Sequence, residues 1–182
     1  MPDVAAAWNF LEDSDPVASA QEVESAIARL SAEISVKLDK AFPVVLVVMG
    51  GAVVFAGQLL PRLRFPIDFD YVHVTRYGTA TEGSQVEWRV APPAGVRGRA
   101  VLALDDILDG GHTLAAVREK VLALGAASFQ CAVLVEKMLA RTKPIRADFV
   151  GLEIPDRFVF GCGMDAQGHW RNLPEIRAMK GT

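Results

Sequence analysis

The sequence predicts an α/β fold, a mainly parallel sheet flanked by helices. Two apolar runs, residues 43–49 ("PVVLVVM") and 100–104 ("AVLAL"), fit strands buried on both faces. Each run leads to a glycine pair, Gly50-Gly51 or Gly110-Gly111, and then to a helical pattern. Strands that alternate with helices in this way build parallel sheets through crossover connections.

The elements follow in order. Residues 19–38 read as a helix: Ser19-x-x-Glu22 fits a capping box, and Val23, Ile27, Leu30, Ile34 and Leu38 share one face. The β-branched run at 43–49 is the first buried strand, and "AVVFAGQLLPRL" after the glycines reads as a helix ending near Pro61. "PIDFDYVHVTRYG" alternates as a strand, residues 79–85 form a small polar loop, and "VEWRV" returns as a strand. "APPAGVRG" is a turn before the buried strand at 100–104. In residues 113–124, Leu114, Val117, Val121 and Leu124 keep helical spacing, with Gly125 suited to the C-cap. "FQCAVLVEK", "ADFVGLEI" and "RFVFGCG" supply three further short strands.

A length of 182 residues fits a single domain, and an apolar fraction of 51% can bury a sizeable core. The net charge of −3 gives no reason to expect a nucleic-acid partner. Cys131 and Cys162 have neither zinc spacing nor the density of a disulfide scaffold, and read as apolar residues in a reducing compartment. The acidic N-terminal stretch lacks the basic region of a secretory signal, and no apolar run is long enough for a membrane span. A cytoplasmic protein without a membrane partner is expected. Residues 1–40, with Trp8 and Phe10, are expected to pack on a neighbouring part of the chain or on a partner subunit.

The chemistry concentrates in "VLALDDILDGGHTL", residues 101–114. Glycines between a strand and a helix let backbone N–H groups close around an anion, and the helix N-terminus adds partial positive charge. Asp109 to Thr113 therefore reads as a phosphate cradle, with the Thr113 hydroxyl as a further donor. It lacks the Gly-Lys-Ser/Thr of a Walker A loop and the spacing of a dinucleotide fingerprint. Asp105 and Asp106, close to a bound phosphate, call for sugar hydroxyls or Mg²⁺, a hard cation that often shares ligands with substrate phosphates. Each acid alone reads as a turn residue or, for Asp109, a helix N-cap. Three acids with Gly-Gly-x-Thr in one junction fit a phosphoribosyl pyrophosphate better.

That stretch resembles the phosphoribosyl-pyrophosphate signature of type I phosphoribosyltransferases, and the chain from about residue 42 to 176 resembles their hypoxanthine-guanine branch. The resemblance implies one domain, residues 1–182, of the type I fold: a twisted, mainly parallel sheet with a small hood from N-terminal residues and about 150–182. It also implies roles. Asp105 and Asp106 would hold the ribose hydroxyls, directly or through Mg²⁺; the family has Glu-Asp here. Asp109 would face purine N7 as proton acceptor or hydrogen-bond partner. Gly110, Gly111, His112 (through its backbone) and Thr113 would bind the 5′-phosphate. Met49, Gly50 and Gly51 match the pyrophosphate loop, where the family often has a basic residue in place of Met49. The family's non-proline cis peptide would fall at Val48–Met49. Tyr77, in "TRYG", would begin a lid that closes over the site and excludes water.

Lys137 would recognise the purine 6-oxo group, with Arg141 four residues on. Phe158 would stack on the base and Val159 would offer main-chain groups to its edge. Asp165 would hold a second Mg²⁺ and Arg171 would bind pyrophosphate. The implied activity is transfer of phosphoribosyl from phosphoribosyl pyrophosphate to hypoxanthine or guanine, giving IMP or GMP in purine salvage, by a homodimer or homotetramer. Xanthine as a third base stays open, because nothing in the sequence reads the purine C2 position. The alternative is a regulator of the same fold that binds phosphoribosyl pyrophosphate and nucleic acid; the acidic balance argues against it.

Overall fold

The computed structural model describes residues 4–76 and 86–181. A six-stranded sheet has the order β4-β3-β2-β5-β6-β7. Its strands are β2 (Val44–Met49), β3 (Asp68–Arg76), β4 (Val86–Val90), β5 (Ala100–Leu108), β6 (Ser128–Met138) and β7 (Phe149–Pro155). Only the edge strand β4 runs antiparallel, against β3; the other pairs are parallel. The expected mainly parallel sheet is present.

Alternation along the central strand divides the core. Val45 and Val47 of β2 join the cluster under α2 (Ala20–Leu38) and α3 (Val53–Leu59). Val44, Leu46 and Val48 join the opposite cluster with Leu114, Val117 and Val121 of α4 (His112–Ala123). Successive strand side chains point to opposite faces, so a run apolar at every position is buried from both sides. The helix α2 begins as its sequence dictates: Ser19 and Glu22 form a reciprocal capping box. Its buried face is Val23, Ala26, Ile27, Leu30, Ile34 and Leu38.

Three boundaries differ from the sequence expectation. β5 continues four residues past Leu104, because its ladder with β6 persists through Asp105↔Val133 to Leu108↔Glu136. Asp105 and Asp106 thus lie within the strand, and Asp109 directly follows it. The helix after Gly51 ends at Leu59, and a 3₁₀ turn over Leu60–Arg62 carries Pro61. The third of the short strands is only Val159–Phe160 (β8).

A second sheet of three strands has the order β1-β9-β8, where β1 is Ser14–Ala18 and β9 is Ile176–Met179. β7 belongs to the large sheet, so β8 and β9 are the strands beyond residue 155 that build the small one. Ala18, Val159, Ile176 and Ala178 join the cluster under α2, which seats the small sheet on that face. The N-terminal helix α1 (Val4–Glu12) packs on the following chain of the same molecule. Trp8 meets Trp170 edge-on at 5.0 Å, Phe10 meets Phe160 at 5.2 Å, and Trp170 Nε1 donates to the Ala7 carbonyl at 2.9 Å.

Candidate active site

A cleft of about 260 Å³ opens at the carboxyl ends of β2 and β5. Ligands on open parallel sheets collect at such ends. The cleft brings together Met49, Gly51, Asp105, Asp106, Asp109, Gly110, Gly111, His112, Thr113 and Arg171. Residues from three separated stretches of sequence, 49–51, 105–113 and 171, thus share one cavity. Tyr77 lies outside the described residues.

Asp105 and Asp106 are buried, 7% and 8% exposed. Their carboxylates turn back on the chain: Asp105 Oδ1 accepts from Asp106 N at 3.0 Å, and Asp106 Oδ1 from Ile107 N at 2.8 Å. Burial pushes the Asp105 carboxyl well above the usual carboxylate range, and the neighbouring Asp106 adds to the rise. Burial also raises Asp106, against the pull of its hydrogen bonds and of the Arg171 guanidinium. Burial of the two neighbouring acids favours their protonated forms, and a cation or a hydroxyl donor would relieve it. The folded state therefore binds more protons than the unfolded one at pH above the ordinary carboxylate value of 3.8. The stability contribution of the pair is complete below that value and declines as pH rises through the raised range. Asp105→Asn should melt higher than the wild type without ligand at pH 8, by roughly 2–4 °C for each kcal/mol gained. The gap should narrow toward pH 4 in a thermal melt series; a gap independent of pH would contradict the assignment.

The cradle is built by the turn into α4. Gly111 is the helix N-cap, in left-handed conformation at φ 79°, with no side-chain cap. Asp109 is therefore not the N-cap, and its carboxylate faces Lys137 instead. The first-turn N–H groups of the helix are presented at the cleft without a side-chain acceptor, as an anion would require. Arg141 Nη2 comes within 3.6 Å of the place a Cβ on Gly110 would occupy.

The facing wall is the 49–51 loop. The non-proline cis peptide is at Met49–Gly50, one bond later than the resemblance implied. A glycine there has no Cβ to crowd the cis arrangement. Gly51 is packed so closely that a Cβ would stand 1.9 Å from Asp106 Oδ2. Arg171 is aimed by two contacts: Nη2 pairs with Asp165 Oδ1 at 2.5 Å, and Nη1 donates to the Gly163 carbonyl at 2.6 Å. Asp165 also accepts from Gly168 N at 2.7 Å, so both of its oxygens have partners.

Lys137, at the end of β6, connects to the cleft through Asp109. Its Nζ is 3.7 Å from Asp109 Oδ2 and 3.8 Å from Asp156 Oδ1. The Lys137 side chain is only 12% exposed, Asp109 47%. Asp156 is a partner that sequence reading missed; the acid of "IPDRF" gave no spacing signal by itself. Phe158 is 43% exposed, and its carbonyl accepts from Met179 N at 3.0 Å. Val159 pairs with Ala178 in the small sheet. Phe158, Val159 and Asp165 stand outside the lining of the cleft.

The cleft joins a buried acid pair, a glycine-bounded helix N-terminus and, through Asp109, a lysine. The chain belongs to the phosphoribosyl transferase domain family, whose model matches residues 13–167. Within it, the chain is 34% identical over 163 residues to the hypoxanthine-guanine phosphoribosyltransferase of Bacillus subtilis (strain 168), covering 89% of this chain and 91% of that one. Two solved structures are similar throughout. A hypoxanthine phosphoribosyltransferase from Staphylococcus aureus superposes with TM-score 0.83 at 26% identity, covering 99% of this chain and 96% of that one. A mutant hypoxanthine phosphoribosyltransferase from Trypanosoma cruzi, in a ternary substrates complex, superposes with TM-score 0.84 at 26% identity, covering 93% and 97%.

Proposed function

We propose that this protein is a purine-salvage enzyme that transfers phosphoribosyl from phosphoribosyl pyrophosphate to hypoxanthine or guanine, releasing pyrophosphate. The observation that carries the reading is the cleft in which Asp105, Asp106, the 109–113 cradle and Arg171 meet, with Lys137 in reach of Asp109. The family membership and the relatives' activities support it.

The cradle amides and the Thr113 hydroxyl hold the 5′-phosphate. Asp105 and Asp106 accept from the ribose hydroxyls, and Arg171 faces the pyrophosphate. C1′ passes through an oxocarbenium-like state, as at other glycosidic centres. Arg171 stabilises charge that grows on the leaving group. Asp109 takes or shares the N7 proton of the base. Lys137 donates to the 6-oxo oxygen, and adenine, with a donor at that position, leaves the ammonium unsatisfied. Phe158 stacks on the base, Val159 meets its edge, and Tyr77 begins the lid.

The acid pair, all oxygen donors, suits Mg²⁺. Among the described residues, no group of three or more His, Cys, Asp or Glu side chains forms a metal cluster. An ion held by Asp105 and Asp106 would take its remaining ligands from substrate and water; Asp165 would reach a second ion only by giving up Arg171 or Gly168 as a partner. Such an ion would supply charge neutralisation on the departing pyrophosphate. We further place the protein in the cytoplasm, as a homodimer or homotetramer of single-domain chains whose small sheet is the hood. No helix of the described residues is long and apolar enough to cross a membrane.

The test is a panel of bases with phosphoribosyl pyrophosphate and Mg²⁺. Hypoxanthine and guanine should turn over, and adenine should lose at least about 10²-fold in kcat/KM, the scale set by a mispaired buried donor. Equal use of adenine would remove Lys137 from base recognition. Chelation of Mg²⁺ should abolish turnover, and full activity in chelator would remove the metal.

A further inference from the structure

We infer that Lys143 is a positioning residue that locks the phosphoribosyl side of the cleft to its base side. The inference rests on the roles given above to Asp109 and Lys137. The Lys143 side chain is 9% exposed. Its ammonium donates to three acceptors: the Leu108 carbonyl at 2.9 Å, the Lys137 carbonyl at 2.6 Å and Glu136 Oε1 at 3.0 Å. An ammonium has three protons, and all three are used.

The acceptors make the contact more than a buried ion pair. Leu108 is the last residue of β5 and immediately precedes Asp109. Lys137 is the residue that meets Asp109 at 3.7 Å. The β5–β6 register ends at Leu108↔Glu136, so the strands leave the ladder here, one toward the cradle and the other toward the base. Lys143 ties them together at that point. The same segment also backs the cradle: Lys143 Cβ would lie 3.4 Å from a Cβ on Gly111, and Ile145 Cγ2 3.3 Å. A charged clamp of this kind fixes the separation of two half-sites without touching either substrate. Misplacement of reacting groups by about 1 Å can cost roughly 10²-fold in rate.

The consequence is a split between rate and binding. In single-turnover nucleotide formation from hypoxanthine, Lys143→Met should slow the reaction roughly 10- to 100-fold per folded molecule. KM for either substrate should change less than about threefold, since each half-site still binds its own ligand. Lys143→Arg should recover part of the rate, because it keeps the charge but not the compact three-way geometry. Amide exchange across residues 108–113 should quicken in Lys143→Met. An unchanged single-turnover rate per folded molecule, at whatever Tm, would overturn the inference. If Lys143→Met does not fold, Lys143→Arg and Glu136→Gln decide: slowed turnover with steady KM supports the clamp, and wild-type rates in both overturn it. Absent wild-type turnover would count against the proposed function instead, and the exchange readout would still judge the clamp.

Discussion

Gly163→Ala should be among the most damaging single-methyl changes in this protein. Gly163 has φ +105°, and a Cβ there would stand 1.9 Å from the Gly51 carbonyl oxygen and 3.0 Å from its carbon. Both obstacles are backbone, so no side chain can swing aside. Gly163 also donates its N–H to the Arg171 carbonyl at 2.8 Å and accepts from the Arg171 guanidinium. The residue is therefore the point where Arg171 is braced against the 49–51 loop. Left-handed strain and the clash together should cost about 2–4 kcal/mol, read as a lower urea midpoint. Activity should fall further than stability predicts, because Gly51 and Arg171 both move. Gly57→Ala is the matched control: it lies in α3 with nothing within 4 Å of the added methyl. It should stabilise by up to about 1 kcal/mol, as expected for an exposed helix interior. Equal behaviour of the two variants would contradict the packing of these loops.

Asp109→Ala should lower kcat by roughly 10²–10³-fold while KM for phosphoribosyl pyrophosphate changes little. The side chain is half-exposed, makes no cap to α4 and lies beside Lys137, so its loss should leave the fold intact. Asp109→Asn separates its two possible tasks. An amide retains a hydrogen bond to the base but cannot accept its proton. If Asp109 takes the proton, Asn should be as slow as Ala; if it only orients the base, Asn should recover much of the rate. Steady-state kinetics with hypoxanthine reads the difference, and an unchanged kcat in Ala would remove Asp109 from the chemistry.

Local patterns carried the large sheet and the anion cradle. The β-branched run at 44–49 and the capping box at Ser19 are short-range signals, and both led to the observed elements. The three acids of 105–109 converge on one cleft because they sit within five residues at a strand end. Two strands of the small sheet, β1 and β9, were hidden for the opposite reason. They are five and four residues long, β1 contains Pro16, and the two pair across more than a hundred residues of chain. α1 has no fully buried residue; the rings of Trp8 and Phe10 hold it against Trp170 and Phe160. Lys143 gave no signal among the basic residues of 137–146, because a buried clamp and a solvated lysine look alike in sequence. The same holds for Asp156, whose meaning comes only from its distance to Lys137.

On the proposed function, this cleft joins a 6-oxopurine to a phosphoribosyl group. The most direct measurement is product analysis after mixing the purified protein with phosphoribosyl pyrophosphate, Mg²⁺ and hypoxanthine. IMP and pyrophosphate should form in equal amounts, and only when all components are present. Failure to form nucleotide from hypoxanthine, and from guanine in a parallel reaction, would overturn the proposed function.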